Sequence, residues 1–217
     1  MSEKRSTYTR NAPEVRRRQL LDAALESFLD FGYAGASIRG IAQRAGVTEG
    51  LIYHYFPGKR ALLSALLNER SPAVRIARLA DEAADLNLRG GLEAVIGHLL
   101  DALEHDPRIV LFLLGQSVTD EEVANAWSEM LGGGLQAIAS YLAHLQQSGE
   151  VRRGPLEPAS RLLISACLMY FLVSHRLHTP SFVADRDSFV TGTAQELSAG
   201  LAPRPPRHRG AAGADGH

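Results

Sequence analysis

Residues 37–59 constrain the fold more than any other part of the chain. They read Ser-Ile-Arg-Gly-Ile-Ala-Gln-Arg-Ala-Gly-Val-Thr-Glu-Gly-Leu-Ile-Tyr-His-Tyr-Phe-Pro-Gly-Lys. Two short runs of apolar residues at helical spacing are each preceded by a residue that can cap a helix, Ser37 and Thr48. Gly46 lies between them and can adopt the left-handed conformation that ends a helix. The stretch therefore predicts two helices joined by a tight turn, which is the arrangement of a helix-turn-helix motif.

The spacing alone does not decide what the two helices do. An ordinary pair of core helices would show the same apolar periodicity. The second helix, however, begins with Thr48, Glu49 and Gly50, which are small or polar. A helix that enters the major groove of DNA with its N-terminal end requires such groups there. DNA binding and simple core packing are therefore both open on the spacing alone.

The residues on either side of this stretch also follow a recognisable order. In sequence they are Leu20-Leu21-Asp22-Ala23-Ala24-Leu25, Phe28, Phe31-Gly32-Tyr33, Ser37-Ile38, Ile41-Ala42, Ala45-Gly46-Val47 and Ile52-Tyr53-His54-Tyr55-Phe56-Pro57-Gly58-Lys59. This set, over about residues 13 to 66, strongly resembles the DNA-binding domain of the tetracycline-repressor (TetR) family of transcriptional regulators.

The resemblance implies an all-α fold, with an N-terminal three-helix helix-turn-helix domain and a C-terminal helical domain for ligand binding and dimerisation. It also implies a sequence-specific DNA-binding transcriptional regulator, a repressor that a small, mostly apolar ligand releases from a palindromic operator. A ligand-responsive activator of the same fold, or a helical ligand-binding protein without DNA binding, are the alternatives. Enzymatic activity is not expected, because the sequence contains no Gly-x-Ser-x-Gly motif and no phosphate loop.

Composition and charge agree with a helical protein that has a DNA-binding end. Alanine and leucine are abundant, whereas β-branched residues are sparse. Residues 1–70 contain 11 Lys/Arg and 7 Asp/Glu, while the remaining residues contain 12 and 17. A basic first third followed by an acidic remainder suits a head that binds a polyanion and a soluble body.

Cysteine content and hydropathy indicate a cytoplasmic protein. Cys167 is the only cysteine, so no intrachain disulfide can form, and we expect a packed, inert thiol. The longest apolar run, Leu162 to Val173, is shorter than the roughly 20 residues that span a bilayer, and no signal peptide precedes the first helix. No cofactor or metal site is predicted: His175 and His178 could share a helix face, but no Cys, Asp or Glu completes a ligand set.

The chain divides into four predicted segments. A flexible basic N-terminal arm covers residues 1–12, and the helix-turn-helix domain covers residues 13–58, its first helix beginning at Pro13. The ligand-binding and dimerisation domain covers residues 59–202 and includes a linking helix near residues 74–86. A disordered tail covers residues 203–217. The arm could be a frayed end or could lie on DNA, and the resemblance implies that the linking helix acts as a lever between the two domains.

Caps and glycines predict several boundaries inside the larger domain. Gly90-Gly91 marks a boundary, and Thr119 with Glu122 forms a capping box that opens a long helix. Gly132-Gly133-Gly134 predicts a kink or break in that helix, because each glycine costs about 1 kcal/mol there. The helix over residues 159–178 is apolar nearly all round, so its outer half needs a partner. We expect a homodimer through the helices around 159–178 and 187–201.

The predicted DNA-binding residues fall into two groups. Ser37 and Arg39 begin the first helix of the motif and could contact phosphate, while Tyr53, His54 and Lys59 resemble family positions that hold the DNA backbone. The second group would face base edges. Glu49 can accept a hydrogen bond from cytosine, Thr48 can meet a base or phosphate or simply cap its helix, and Gly50 permits close approach.

A ligand pocket between about residues 90 and 180 is implied by the resemblance alone. Its candidate lining combines aromatic residues, methionine and a few polar groups, which favours an apolar or aromatic compound. Core packing is the alternative role for each of these residues. The candidates are Phe112, Gln116, Trp127, Met130, Tyr141, His144, Met169, Tyr170 and Ser174.

Overall fold

A computed structural model of the chain describes residues 3–71, 73, 76–78, 86–177 and 185–203, with side chains described from residue 13 onward. All regular structure in these ranges is helical, which confirms the predicted all-α fold. The helices are α1 (Glu3–Gly35), α2 (Ile38–Ala45), α3 (Glu49–Tyr55), α4 (Lys59–Arg70), α5 (Leu88–Glu104), α6 (Pro107–Gln116), α7 (Glu121–Ser148), α8 (Glu157–Leu172) and α9 (Arg186–Leu201). A π-helical turn, Val173–Leu177, continues α8.

The helix-turn-helix consists of α2 and α3, and both predicted caps form. The Ser37 hydroxyl accepts a hydrogen bond from the Gly40 amide at 3.1 Å. The Thr48 hydroxyl accepts one from the amide of Leu51 at 3.3 Å. Gly46 ends α2 with a φ of 66°, which is in the left-handed region that favours glycine. These local interactions fix the turn between the two helices.

Helix α1 is interrupted near its C-terminal end. Gly32 has a φ of 70° and a ψ of 168°, so the predicted break at this residue is confirmed, although a last helical turn follows to Gly35. At its other end α1 begins at Glu3, well before the predicted start at Pro13. The helix therefore includes most of the segment that the sequence predicts to be a flexible arm.

One hydrophobic core joins the head (residues 13–58) to the near part of the body (residues 59–202). It contains buried head residues such as Leu20, Phe28 and Ile52, and buried body residues such as Leu113 and Trp127. Burying one large apolar side chain contributes about 1.5–3 kcal/mol relative to exposing it. The head therefore packs on α4, α6 and α7 through a shared core.

A second hydrophobic core fills the far part of the body, between α5, α7, α8 and α9. Leu92, Ile138 and Leu163 are fully buried in it. A Cβ atom at Gly91 would overlap the Tyr141 hydroxyl, so this glycine permits the close approach of α5 and α7. The predicted boundary at Gly90-Gly91 is therefore wrong: α5 already begins at Leu88.

Helix α7 differs from the prediction at two places. It begins after Asp120, whose carboxylate accepts hydrogen bonds from the Glu122 and Val123 amides, rather than after Thr119. It then runs without a break through residues 132–134, so the predicted kink is wrong. The cost of the glycines is offset by packing along the rest of the helix, and Gly134 lies buried against Ile164 of α8.

The apolar helix near the end of the body is longer than its apolar core suggests. Together α8 and the π-helical turn form 21 helical residues, Glu157–Leu177, with a mean hydropathy of 1.2. By length and composition this helix could cross a membrane, so the prediction that it is too short is wrong. The criterion is weak, since the core or interface helix of a protein meets it as well. Only 28% of its most apolar window is buried.

Some predictions concern residues outside the described ranges. They include most of the linking helix near residues 74–86, the position of His178 and the tail from residue 204 onward. Within the linking region, residues 76–78 are helical, and Ile76 is fully buried in the second core.

Candidate DNA-binding surface and ligand cavity

Helix α3 carries a continuous exposed surface over a buried apolar side. Thr48, Glu49, Gly50 and His54 are exposed, and 53% of Tyr53 is exposed. On its opposite side, Ile52 is fully buried in the first core and holds the helix in place. The predicted recognition surface is therefore brought together on one face, with aromatic and polar groups side by side.

The first helix of the motif adds to this surface. Ser37 and Arg39 are exposed at the start of α2. The hydroxyls of Ser37 and Thr48 are already engaged as helix caps. Each hydroxyl can still donate its own proton to a DNA oxygen, because a cap uses only its acceptor lone pair. Glu49 has the one ionisable carboxylate at the tip of α3.

Lys59 is engaged within the protein. Its Nζ atom donates to the carbonyl oxygens of Tyr33 at 2.6 Å, Ala36 at 3.3 Å and Ala34 at 3.5 Å. It also lies 4.3 Å from the centre of the Tyr33 ring, within the range of a cation–π interaction. This differs from the expectation that Lys59 holds the DNA backbone, because its ammonium group caps the C-terminal end of α1.

Tyr33 is the residue where the head meets α6 and α7. Its backbone amide donates to Oε1 of Gln116 at 3.1 Å, and its hydroxyl donates to the carboxylate of Glu122. Burial, together with the hydrogen bond to Glu122, raises the pKa of the Tyr33 phenol above its ordinary value. The sequence gives no signal for this contact, because Gln116 and Glu122 lie far from Tyr33 along the chain.

Two exposed ion pairs also cross from head to body or from α4 to α7. Arg108 of α6 contacts Glu26 of α1 at 3.1 Å, and Arg60 of α4 contacts Glu129 of α7 at 3.3 Å. Exposed pairs of this kind contribute only about 0–1 kcal/mol. The orientation of the head therefore depends mainly on the shared core and on the buried groups around Tyr33.

An apolar cavity of about 80 Å³ lies inside the body. Its walls come from α4, the α5–α6 junction, α6, α7 and α8. They are formed by Leu67, Leu99, Ala102, Leu103, Asp106, Ile109, Val110, Leu113, Trp127, Met130, Leu131, Gly134, Ile164, Cys167 and Leu168. Gly134 contributes to the cavity by having no side chain.

The two ionisable groups in the cavity wall are both committed. The Asp106 carboxylate accepts from the Arg108 amide and pairs with the Arg108 guanidinium at 2.8 Å. Burial raises the pKa of the Cys167 thiol to about 12, so the thiol is neutral at ordinary pH and has little nucleophilic character. The interior is therefore suited to a neutral, apolar guest.

The structure brings only two of the predicted ligand residues, Trp127 and Met130, to this cavity. Phe112 stacks on Phe28 with ring centres 6.3 Å apart, and Gln116 contacts Tyr33.

The remaining candidates lie elsewhere. Tyr141 packs against Gly91, and Tyr170 stacks on Phe189 with ring centres 4.3 Å apart. His144 and Met169 are exposed, and Ser174 lies in the π-helical turn. The aliphatic residues that form most of the wall carry no signal in sequence that separates them from core residues.

Among the described residues, no cluster of three or more His, Cys, Asp or Glu side chains could hold a metal ion. The candidate site is therefore built of hydrogen-bonding and apolar groups. It combines an exposed helix-turn-helix with an enclosed cavity in one helical chain, which is the architecture of a ligand-responsive DNA-binding protein.

Comparison with known proteins identifies the family. Residues 20–66 match the family of bacterial regulatory proteins described as the tetR family. The HTH-type transcriptional regulator SrpR of Pseudomonas putida is 33% identical over 142 residues, which cover 64% of this chain and 64% of SrpR. The HTH-type transcriptional regulator TtgW, from a named strain of the same species, is 39% identical over 97 residues, which cover 45% of this chain and 68% of TtgW.

Solved structures agree with this assignment. A putative transcriptional regulator from Pseudomonas aeruginosa PAO1 is 26% identical, with a TM-score of 0.65 over 89% of this chain and 95% of that one. FadR from Bacillus subtilis, in complex with stearoyl-CoA, is 23% identical, with a TM-score of 0.64 over 85% and 98%. The latter shares the fold.

The chain belongs to the tetR family of bacterial regulatory proteins. It is a helix-turn-helix, DNA-binding transcriptional regulator. Regulators of this family bind DNA and small molecules and act as dimers.

Proposed function

We propose that this protein represses transcription by binding a palindromic operator as a homodimer, and that a small apolar molecule in the cavity releases it. The observation that carries the proposal is the position of the cavity. Leu67 of α4 lines it, and α4 begins immediately after the helix-turn-helix. A guest in the cavity therefore touches a helix that is continuous with the DNA-binding head.

The exposed residues of α2 and α3 support a division of roles at the DNA. Ser37, Arg39, Tyr53 and His54 would contact phosphates and set the position of the head. Such contacts carry no sequence information themselves.

Thr48, Glu49 and Gly50 would lie at base edges in the major groove, with Glu49 as an acceptor for cytosine amino groups. Lys59 would act from behind this surface, through the carbonyl groups at the end of α1.

The cavity wall supports a neutral, mostly apolar ligand. A charged ligand would need a free partner inside, because burying an unpaired charge is costly. Asp106 is already paired with Arg108. The stearoyl-CoA held by Bacillus subtilis FadR makes acyl chains one class to include in a ligand screen, beside compact aromatic compounds.

The exposed face of α8 supports dimerisation through the helices around 159–178 and 187–201. Leu162 is 59% exposed and Met169 is 57% exposed, and both lie on the helix whose length and hydropathy approach those of a membrane span. A second copy of the chain would cover this face. The two heads of a two-fold dimer would then read half-sites about 34 Å apart. A protein that binds operators in this way acts in the cytoplasm.

Binding to DNA selected from genomic fragments tests the proposal. Affinity should fall steeply between about 50 and 200 mM salt, as phosphate contacts require. Replacing Tyr53 by Ala should weaken binding to all sequences alike by roughly tenfold, while Tyr53→Phe separates the hydroxyl contact from the ring.

Replacing Val118, which is also exposed but lies in the α6–α7 turn, by Ala should leave affinity unchanged. No salt-dependent binding to any fragment would exclude a regulator. Binding with gene expression that falls when the protein is removed would indicate an activator instead.

A further inference from the structure

We propose that Gln116 and Tyr33 transmit occupancy of the cavity to the head, so that Gln116 is a positioning residue for the helix-turn-helix. The inference rests on the proposed function, because it explains how a guest in the body changes DNA binding. It adds a route that does not run along the linking helix. Its basis is a chain of contacts from the cavity wall, through α6, to the end of α1.

The first step runs along α6. Ile109, Val110 and Leu113 of this helix line the cavity. Gln116 is the last residue of α6, less than one helical turn after Leu113. Because the helix is only 10 residues long and moves as a rigid unit, a guest that displaces Leu113 also displaces Gln116.

The second step is the contact between Gln116 and the end of α1. Oε1 of Gln116 accepts the hydrogen bond of the Tyr33 amide at 3.1 Å. This amide follows Gly32, whose φ of 70° and ψ of 168° break the helical geometry of α1. A Cβ atom at position 32 would lie 3.1 Å from the same Oε1 atom. Glycine therefore provides both the break and the space for the side chain from the body.

The third step leads from Tyr33 to the recognition helix. The carbonyl oxygen of Tyr33 accepts from Nζ of Lys59 at 2.6 Å, and the ammonium also lies over the Tyr33 ring. Lys59 is the first residue of α4 and follows α3 after a short turn. One residue therefore receives a hydrogen bond from the recognition side and donates one to the body.

A second contact ties the same residue to α7. The Tyr33 hydroxyl donates to the carboxylate of Glu122, which lies in the first turn of α7. Trp127 and Met130 of this helix also line the cavity. Tyr33 is 2% exposed, so a relative movement of α6 and α7 cannot be absorbed by water at this point. It must change the hydrogen bonds of Tyr33.

The experiment uses the full-length protein and a cavity-filling substitution in place of the unidentified ligand. Ala102 lines the cavity, so Ala102→Leu adds bulk where a guest would sit. DNA affinity is measured for the wild type, Ala102→Leu, Gln116→Met and the double variant, on one selected DNA fragment. Gln116→Met keeps the length of the side chain and removes its acceptor.

The expected result is strong non-additivity. Ala102→Leu should weaken DNA binding about tenfold or more in the wild type and less than about threefold in the Gln116→Met background, because the contact is already lost there. Gln116→Glu retains an acceptor and should restore the sensitivity to Ala102→Leu. Glu129→Gln breaks a different contact between α4 and α7 and should leave the full effect in place. An equal effect of Ala102→Leu in all of these backgrounds would overturn the proposal.

Amide hydrogen exchange gives a readout that needs no DNA. The Tyr33 amide should exchange at least about tenfold faster in Ala102→Leu and in Gln116→Met than in the wild type, with the global stability of each variant measured in parallel. An unchanged Tyr33 exchange rate in a folded Ala102→Leu protein would overturn the proposal. A chain that shows the exchange effect but binds no DNA fragment would refute the proposed regulator function and leave this contact pathway standing.

Discussion

Replacing Lys59 by Met should destabilise the folded protein even when no DNA is present. The Nζ atom makes one short hydrogen bond, to Tyr33 at 2.6 Å, and two longer ones, to Ala36 at 3.3 Å and Ala34 at 3.5 Å. A hydrogen bond from a charged donor contributes about 1.5–3 kcal/mol, and a cation–π contact adds about 0.5–1 kcal/mol at partly exposed sites.

Lys59 is only half-buried, and Met retains the apolar stem of the side chain. We therefore expect the two longer bonds to add little and the free energy of unfolding to fall by about 2 kcal/mol. For a chain of this size such a change lowers Tm by about 4–8 °C.

Thermal and urea unfolding of Lys59→Met measure this loss, and Arg60→Met is the matched control. Arg60 is the next residue and has the same charge, but it makes an exposed ion pair with Glu129 at 3.3 Å. Its loss should change the unfolding free energy by less than about 1 kcal/mol. If Lys59→Met is as stable as the wild type but fails to bind DNA, the ammonium acts on the DNA backbone and the capping role is refuted.

Three further substitutions or reactions test the packing of the body. Gly91→Ala should destabilise the protein by about 1–3 kcal/mol in urea unfolding, because the added Cβ overlaps the Tyr141 hydroxyl, whereas Gly90→Ala has no contact under 3.5 Å and should be tolerated. Gly133→Ala, in an exposed and uncrowded part of α7, should raise the unfolding free energy by about 0.5–1 kcal/mol. Cys167 should not react with a water-soluble thiol reagent at about pH 8 until urea unfolds the chain, because it is fully buried and its pKa is raised to about 12; rapid modification of the native protein would mean that the cavity opens to solvent.

The sequence predicts the head well because local interactions decide its structure. The Ser37 and Thr48 caps, and Gly46 at the end of α2, each act within four residues of their own position. The predicted turn therefore forms regardless of what the body does. The exposed face of α3 follows from the same periodicity, since burial of Ile52 leaves Tyr53 and His54 outward.

The errors in the body have a different physical origin. The glycines of α7 lower its local helical propensity, but a helix of 28 residues is stabilised mainly by its packing against neighbours. Propensity alone therefore predicts a break that tertiary contacts prevent. Glu122 also carries the spacing of a capping box with Thr119, yet its carboxylate is used by Tyr33. Such a partner is distant in sequence and invisible to local rules.

The shared core constrains how release from DNA can occur. If the head were joined to the body only by a linker, it could swing freely, and a guest in the cavity would have no effect on its orientation. Here Phe28 of α1 packs with Phe112 of α6, and Leu113 lies between this core and the cavity. Reorienting the head therefore requires repacking of buried side chains between two discrete arrangements. Under the proposed function, a ligand must bind the released arrangement more tightly by the cost of that repacking, and each tenfold preference supplies about 1.4 kcal/mol. A cavity with almost no polar groups can provide this preference only through shape, so ligands of similar hydrophobicity but different size should differ widely in their power to release DNA.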